Sequence, residues 1–209
     1  KSLLMMAIAL LSIPSLLAQD KQPIDWVDPF IGTTNYGTTN PGAVVPNGMM
    51  SVVPFNVMGS EENTYDKDAR WWSTPYEHSN VYFTGYSHVN LSGVGCPDLG
   101  SLLIMPTMGE LEVDYRKYGS AYTDEKASPG YYTNRLSAYD VLTEVTATQR
   151  VGVHRYTFPA GQANILLNLG QGLTNESGAF VRFKGDAEVE GMKMLGTFCY
   201  NAQAIFPIY

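Results

Sequence analysis

Past its first 18 residues, the chain has no long stretch with apolar residues at helical spacing. It shows instead short apolar or alternating runs, closed every few residues by Gly, Pro, Asn or Asp. Val81-Tyr82-Phe83 and Leu102-Leu103-Ile104-Met105 are two such runs. From Tyr139 to Ala147 apolar and polar residues alternate, with Tyr139, Val141, Val145 and Ala147 on one face. Residues 151–158 continue the theme. Ile165-Leu166-Leu167-Asn168-Leu169 reads as a buried strand closed by Gly170, and residues 179–184, 187–189 and 192–195 as three more. Residues 33–76 read as long loops around one good strand, 49–55. Many short strands separated by turn residues predict an all-β sandwich.

The start is of another kind. Lys1, an apolar run from Leu3 to Leu17 and the small residue Ala18 describe a signal peptide over residues 1–18. The run is shorter than the roughly 20 residues a bilayer span needs, so no membrane anchor is expected. The product is expected in the periplasm or outside the cell. The net charge of −7, with no Lys/Arg cluster, argues against nucleic acid as a partner. Fourteen Tyr and three Trp suit both a core and a sugar-binding face.

The richest segment is residues 86–100, YSHVNLSGVGCPDLG. Three glycines and a proline exclude a regular helix or a central strand, so it is a shaped loop. Were 86–90 extended, His88 and Asn90 would point to the same side, where imidazole and amide suit sugar hydroxyls. Asn and Ser also bond nearby backbone, so a loop-locking role stands beside the ligand role. His78 and His154 stand alone, His154 in a strand, and the three histidines make no zinc pattern. Trp71 and Trp72, adjacent in a polar loop, cannot both face one core layer; Trp72 is a candidate sugar platform. Glu61, Glu62, Asp66, Asp68 and Glu77 fall in one polar loop and Asp124-Glu125 in another, mostly as solvated charge. Cys96 and Cys199 could pair in an oxidising compartment, but spacing cannot decide it; two free thiols are expected, with Cys96 packing the loop or walling a pocket.

Several segments, taken in order, resemble the glycoside hydrolase family 92 exo-α-mannosidases: DWVDPFIGT (25–33), NPGAVVPNGM (40–49), GYSHVNLSGVGCPDLG (85–100), ASPGYY (127–132) and VGVHRYTFP (151–159). The resemblance implies that residues 24–209 form an N-terminal, supersandwich-like β-sandwich. It is followed in the family by an (α/α)6-type helical barrel, and the strand-like end at Tyr209 is read as a cut before it. The implied function is part of a secreted, calcium-dependent, inverting exo-α-mannosidase acting on α-1,2-linked mannosides. Acid, base and most calcium contacts would come from the barrel, so no catalytic or metal residue is expected here and the fragment alone should be inactive. The family likeness places the 28–41 segment, read as a strand end and loop, near the domain junction. Substrate contacts are then expected from Thr33, Asn35, Trp72, His88, Asn90 and Cys96. The alternative from another class is a non-catalytic periplasmic carbohydrate-binding sandwich.

Overall fold

A computed structural model describes residues 21–64, 67, 73–93, 95–173, 176–197, 199 and 203–208. The leader and Trp71-Trp72 lie outside the described residues. Among the described residues, three antiparallel sheets make up the fold. The first has the order β1 (Ala43–Val44), β2 (Ser51–Phe55), β4 (Gly85–His88), β5 (Leu103–Met108) and β10 (Ala163–Asn168). The second runs β3 (Tyr82–Phe83), β6 (Ser120–Ser128), β7 (Tyr131–Leu136), β8 (Val141–Ala147) and β9 (Gly152–Thr157). A third joins β11 (Glu176–Phe183), β12 (Val189–Gly196) and β13 (Gln203–Ile208). Among the described residues, helix is confined to a 3-10 turn at Pro23–Trp26 and one turn of α-helix at Tyr115–Tyr118.

The first two sheets face each other through β1 and β2 on one side and β7, β8 and β9 on the other. Ala43, Val52, Tyr86 and Met105 meet Tyr132, Leu136, Val141, Val145 and Ala147 there, all buried. In β8 the inward set is Val141, Thr143, Val145 and Ala147, matching the predicted alternation.

Four expectations need correction. Residues 28–33 form turns rather than a strand end, following the 3-10 turn that Pro23 opens at its first position. The 165–169 run is not a buried strand. Residues 165–168 lie in β10, which among the described residues is an edge strand paired only with β5, and Ile165 is 49% exposed. A short apolar run alone does not separate an edge from a centre. The 187–189 run is not a strand of its own: Val189 opens β12, which also holds 192–195, and Ala187 and Glu188 belong to the preceding turn. Finally, Asp124 and Glu125 are not in a loop. They form a bulge in β6, where register slips between Thr123 and Lys126 and Asp124 takes a φ of 53°. The bulge turns Glu125 into the core.

Candidate functional site

The first three residues of the glycine-rich segment, Tyr86–His88, are not loop as expected but lie in β4, paired on both sides with β2 and β5, and the chain leaves the sheet only after them. The next residue, Val89, has a φ of 57°, a conformation β-branched residues rarely adopt. Leu99 at 73° and Gly100 at 68° bring the chain back. Asn90 bridges to Leu99, and the amides of Gly100 and Ser101 donate to the Val89 and His88 carbonyls at 3.0 and 2.9 Å. Outliers so concentrated mark a loop whose shape its surroundings impose.

Val89 also ends the extended geometry that would have set His88 and Asn90 side by side. The two side chains take different roles. Asn90 is used internally: its Oδ1 accepts from Ser87 Oγ at 2.8 Å, and its Nδ2 donates to the Ser87 carbonyl and to Ser51 Oγ at 3.2 and 3.3 Å. His88, 8% exposed, points between the sheets. Its Nε2 meets His154 Nε2 at 2.8 Å, so His154 is not a lone strand histidine.

The proton positions in this pair follow from the partners. His88 Nδ1 lies 2.8 Å from the Leu102 carbonyl, which only accepts, so His88 is protonated at Nδ1 and its Nε2 accepts. His154 therefore donates from Nε2, and its Nδ1 accepts from the Tyr156 hydroxyl at 2.7 Å. Hydroxyl, imidazole, imidazole and carbonyl form one directed chain with both rings neutral. Burial lowers the pKa of both rings, and mutual repulsion in the charged state helps push His154 down to about 3. Close approach of the sheets requires Gly152: a Cβ there would lie 2.7 Å from Val52 Cγ2 and 3.3 Å from His88 Cδ2.

A second loop lies against the first. Gly93 donates to the Thr38 carbonyl at 2.8 Å, and Asn40 Nδ2 to the Leu91 carbonyl at 3.4 Å. Thr33 is buried, its hydroxyl donating to Phe30 O at 2.7 Å and its carbonyl accepting from His78 N at 2.9 Å. Asn35 and Tyr36 have φ values of 52° and 66°, and Gly37 N closes on Thr34 O at 2.8 Å. That is a type I′ turn. It holds Asn35 and Tyr36 in solvent, Tyr36 at 69% exposure. On the neighbouring tip Ser92, Gly93 and Gly95 are exposed, with open space where either glycine would carry a Cβ. Tyr36 was missed in the sequence; the Asn-Tyr-Gly turn was its signal.

Cys96 is 4% exposed and bonded to Cys199, with the Cα atoms 6.2 Å apart, so the expected free thiols are a disulfide. It ties the glycine loop to the segment after β12. Buried Asp98 supports it: Oδ2 accepts from Cys199 N at 3.1 Å and lies 3.4 Å from Cys96 Sγ.

Two carboxyls expected in solvent are inside. Glu77 is fully buried, and its Oε1 accepts from Ser79 Oγ at 3.1 Å. Glu125 Oε1 accepts from Tyr132 and Tyr76 hydroxyls at 2.6 and 2.8 Å. Burial raises both pKa values against the lowering effect of these bonds. Both belong to the polar seam of the core.

The sequence model of the glycosyl hydrolase family 92 N-terminal domain matches residues 26–209, the whole of the sandwich just described. This chain belongs to that family, as its N-terminal domain. A curated relative, an uncharacterized secreted glycosidase of Arthroderma benhamiae, is 31% identical over 148 residues, covering 66% of this chain and 18% of the relative. Among solved structures, the family GH92 α-mannosidase BT3965 of Bacteroides thetaiotaomicron, in complex with mannoimidazole, superposes with a TM-score of 0.76 at 30% identity. That match covers 88% of this chain and 24% of the other. The GH92 glycosyl hydrolase ccman5 gives a TM-score of 0.68 at 29% identity, over 87% of this chain and 25% of that one. The chain thus spans about a quarter or less of these relatives. No helix among the described residues is long and apolar enough to cross a membrane.

The family likeness implies calcium, and these residues do not fit it. Among the described residues, one group of His, Cys, Asp or Glu brings three ligand atoms together: Cys96, Asp98 and Cys199. Two of its three donors are sulfurs already bonded to each other, whereas calcium takes six to eight oxygens.

Proposed function

We propose that this domain forms one wall of the substrate cleft in a secreted, inverting exo-α-mannosidase acting on α-1,2-linked mannosides. The observation that carries this is the pair of interlocked loops, 33–40 and 89–100. Their buried residues are spent on mutual hydrogen bonds, while Asn35, Tyr36 and Ser92 are left exposed at the tips. An aromatic face beside an amide and a hydroxyl is suited to a sugar ring, which offers C–H groups on its face and hydroxyls at its edge. Thr33, His88, Asn90 and Cys96 act from behind by fixing the loops; Trp72 remains a candidate platform.

Inversion needs a protonated and an ionised carboxyl roughly 6.5–9.5 Å apart, with room for water between them. The two carboxyls with raised pKa values, Glu77 and Glu125, are held in the core seam, so the catalytic pair is assigned to the remainder of the full-length protein. The calcium is assigned there too, and no step is routed through it here. The mannoimidazole complex of BT3965 supports the substrate class.

The test is Asn35→Ala and Tyr36→Ala in the full-length enzyme. Each should lower kcat/KM tenfold to hundredfold, about 1–3 kcal/mol of lost contact, with only a small fall in melting temperature from placing Ala at a positive φ in the exposed turn. Residues 24–209 alone should not turn over α-mannosides. Unchanged kcat/KM in both variants would remove the loop tips from the cleft.

A further inference from the structure

The second sheet has an outer face that neither the core nor the loops use. Lys126 pairs across to Thr133, Thr133 to Glu144 and Glu144 to Arg155, so one polar row crosses four strands. Beside it stand Tyr131 and Leu142. The β6 bulge sets Asp124 and Lys126 along one margin of a shallow, open trough of about 440 Å³.

The trough is rigid and electrically balanced. Arg155 grips Glu144 through two bonds, Nε to Oε2 at 2.6 Å and Nη2 to Oε1 at 2.5 Å. The Tyr131 hydroxyl donates to the same Oε1 at 2.7 Å, which fixes its ring. Arg135 lies between Asp124 at 3.6 Å and Asp140 at 2.7 Å. Lys126, Arg135 and Arg155 thus offset Asp124, Asp140 and Glu144, leaving no net field to draw a nucleic acid or another polyanion. So dense a set of charges is also unlike the centre of a protein interface, where charge is depleted. One aromatic face and one apolar floor, ringed by fixed donors and acceptors, fit a neutral, hydroxyl-rich ligand. The volume is on the order of two hexose rings, near the small end of ligand sites.

We propose that this trough is a second carbohydrate site, binding two contiguous hexose units of a neutral oligosaccharide, with Tyr131 as the platform and Glu144 and Lys126 as the polar contacts. It lies on the opposite face of the sheet from His154, so it is separate from the glycine loop and independent of which bond the enzyme cleaves. Its role is to hold a glycan chain while ends are processed elsewhere.

The experiment is native electrophoresis of the full-length protein in gels containing α-mannan, a neutral β-glucan or anionic alginate. Hydrolysis of a small aryl α-mannoside is measured in parallel. Retardation in at least one neutral gel is expected. Tyr131→Ala should weaken it about tenfold or more, while Tyr131→Phe, which keeps the ring, should retain most of it. Both variants should cleave the aryl mannoside as the wild type does; this readout tests the cleft, so its failure alone would count against the proposed function and not against the trough. Three results would overturn the proposal: no retardation in the neutral gels, retardation in alginate alone, or equal retardation of wild type and Tyr131→Ala. A Tyr131→Ala protein that melts lower with unchanged retardation would make the trough a packing or docking face.

Discussion

The His88–His154 chain should make the domain acid-labile in a defined window. A histidine whose pKa is lowered by folding binds its proton more readily in the unfolded chain. Its contribution is therefore neutral above pH 6.5 and becomes a loss of stability as pH falls below the unfolded value. For His154, with a folded value of about 3, the loss continues down to that pH. One unit of pH in this range costs 1.36 kcal/mol per group, so going from pH 6.5 to 5 should cost about 2 kcal/mol through His154. His88, shifted the same way, adds to it. The groups bonded to the pair are a carbonyl and a hydroxyl, and the Tyr86 ring stands edge-on to His154 at 5.6 Å. None of these is an anion that would stabilise an imidazolium. Glu77 and Glu125, with raised folded values, act with the opposite sign: they take up protons first in the folded state and offset part of the loss. The assay is urea unfolding of the domain at half-unit steps from pH 8 to 5, repeated on His154→Phe. The variant should start about 1–3 kcal/mol lower at pH 8, because His88 Nε2 and the Tyr156 hydroxyl lose their partner. Its dependence on pH should then be shallower. A flat wild-type profile, or an identical slope in the variant, would refute the neutral-pair assignment.

Gly152→Ala should cost about 1–3 kcal/mol in urea unfolding, because the new methyl presses on buried Val52 and on the His88 ring; a silent substitution would mean the sheets have room to part there. Cys199→Ser should lower stability by about 2–4 kcal/mol, since the bond closes a sequence separation of 103 residues, and labelling of the freed Cys96 after mild denaturation should report opening of the glycine loop. Unaltered stability of Cys199→Ser would show that the loop is held by its hydrogen bonds alone.

Where local chemistry and burial agree, the fold was legible. β8 alternates because one face meets the core, and that pattern is in the letters. β6 was missed because Asp124, Glu125 and Lys126 look like solvated charge; a bulge that turns one carboxyl to two tyrosine hydroxyls has no periodic signature. The strand in 165–169 was visible but its edge position was not, since that depends on what lies beside it. At the site, the glycine segment was legible as a loop from Val89 on, but its first three residues are the central strand β4, and Asn35 was named only from the family likeness, which put its segment near the domain junction. The inward aim of His88 was not legible, because it depends on the single backbone reversal at Val89. Nor was the disulfide, whose cysteines are brought together only by tertiary folding.

The same reversal explains how the domain divides its labour. Val89 and Leu99 occupy a region of backbone space that costs non-glycine residues of order 1–3 kcal/mol each. Such strain persists only where neighbours over-determine the path. Here Ser51 O receives Val89 N at 3.2 Å, Ser51 Oγ receives Asn90 N at 2.8 Å, and Ser101 N returns to His88 O. The disulfide then pins the far limb at Cys96. The polar residues that attract notice in the sequence, His88, Asn90 and Asp98, are consumed in holding this geometry. What they hold out is a tip of small residues, Ser92, Gly93 and Gly95, beside the type I′ turn of Asn35 and Tyr36. A sugar ring needs close backbone approach, one aromatic face and a few groups that do not move. In the proposed cleft, a loop built this way would offer them without ordering itself on binding, so little contact energy would be lost to conformational entropy.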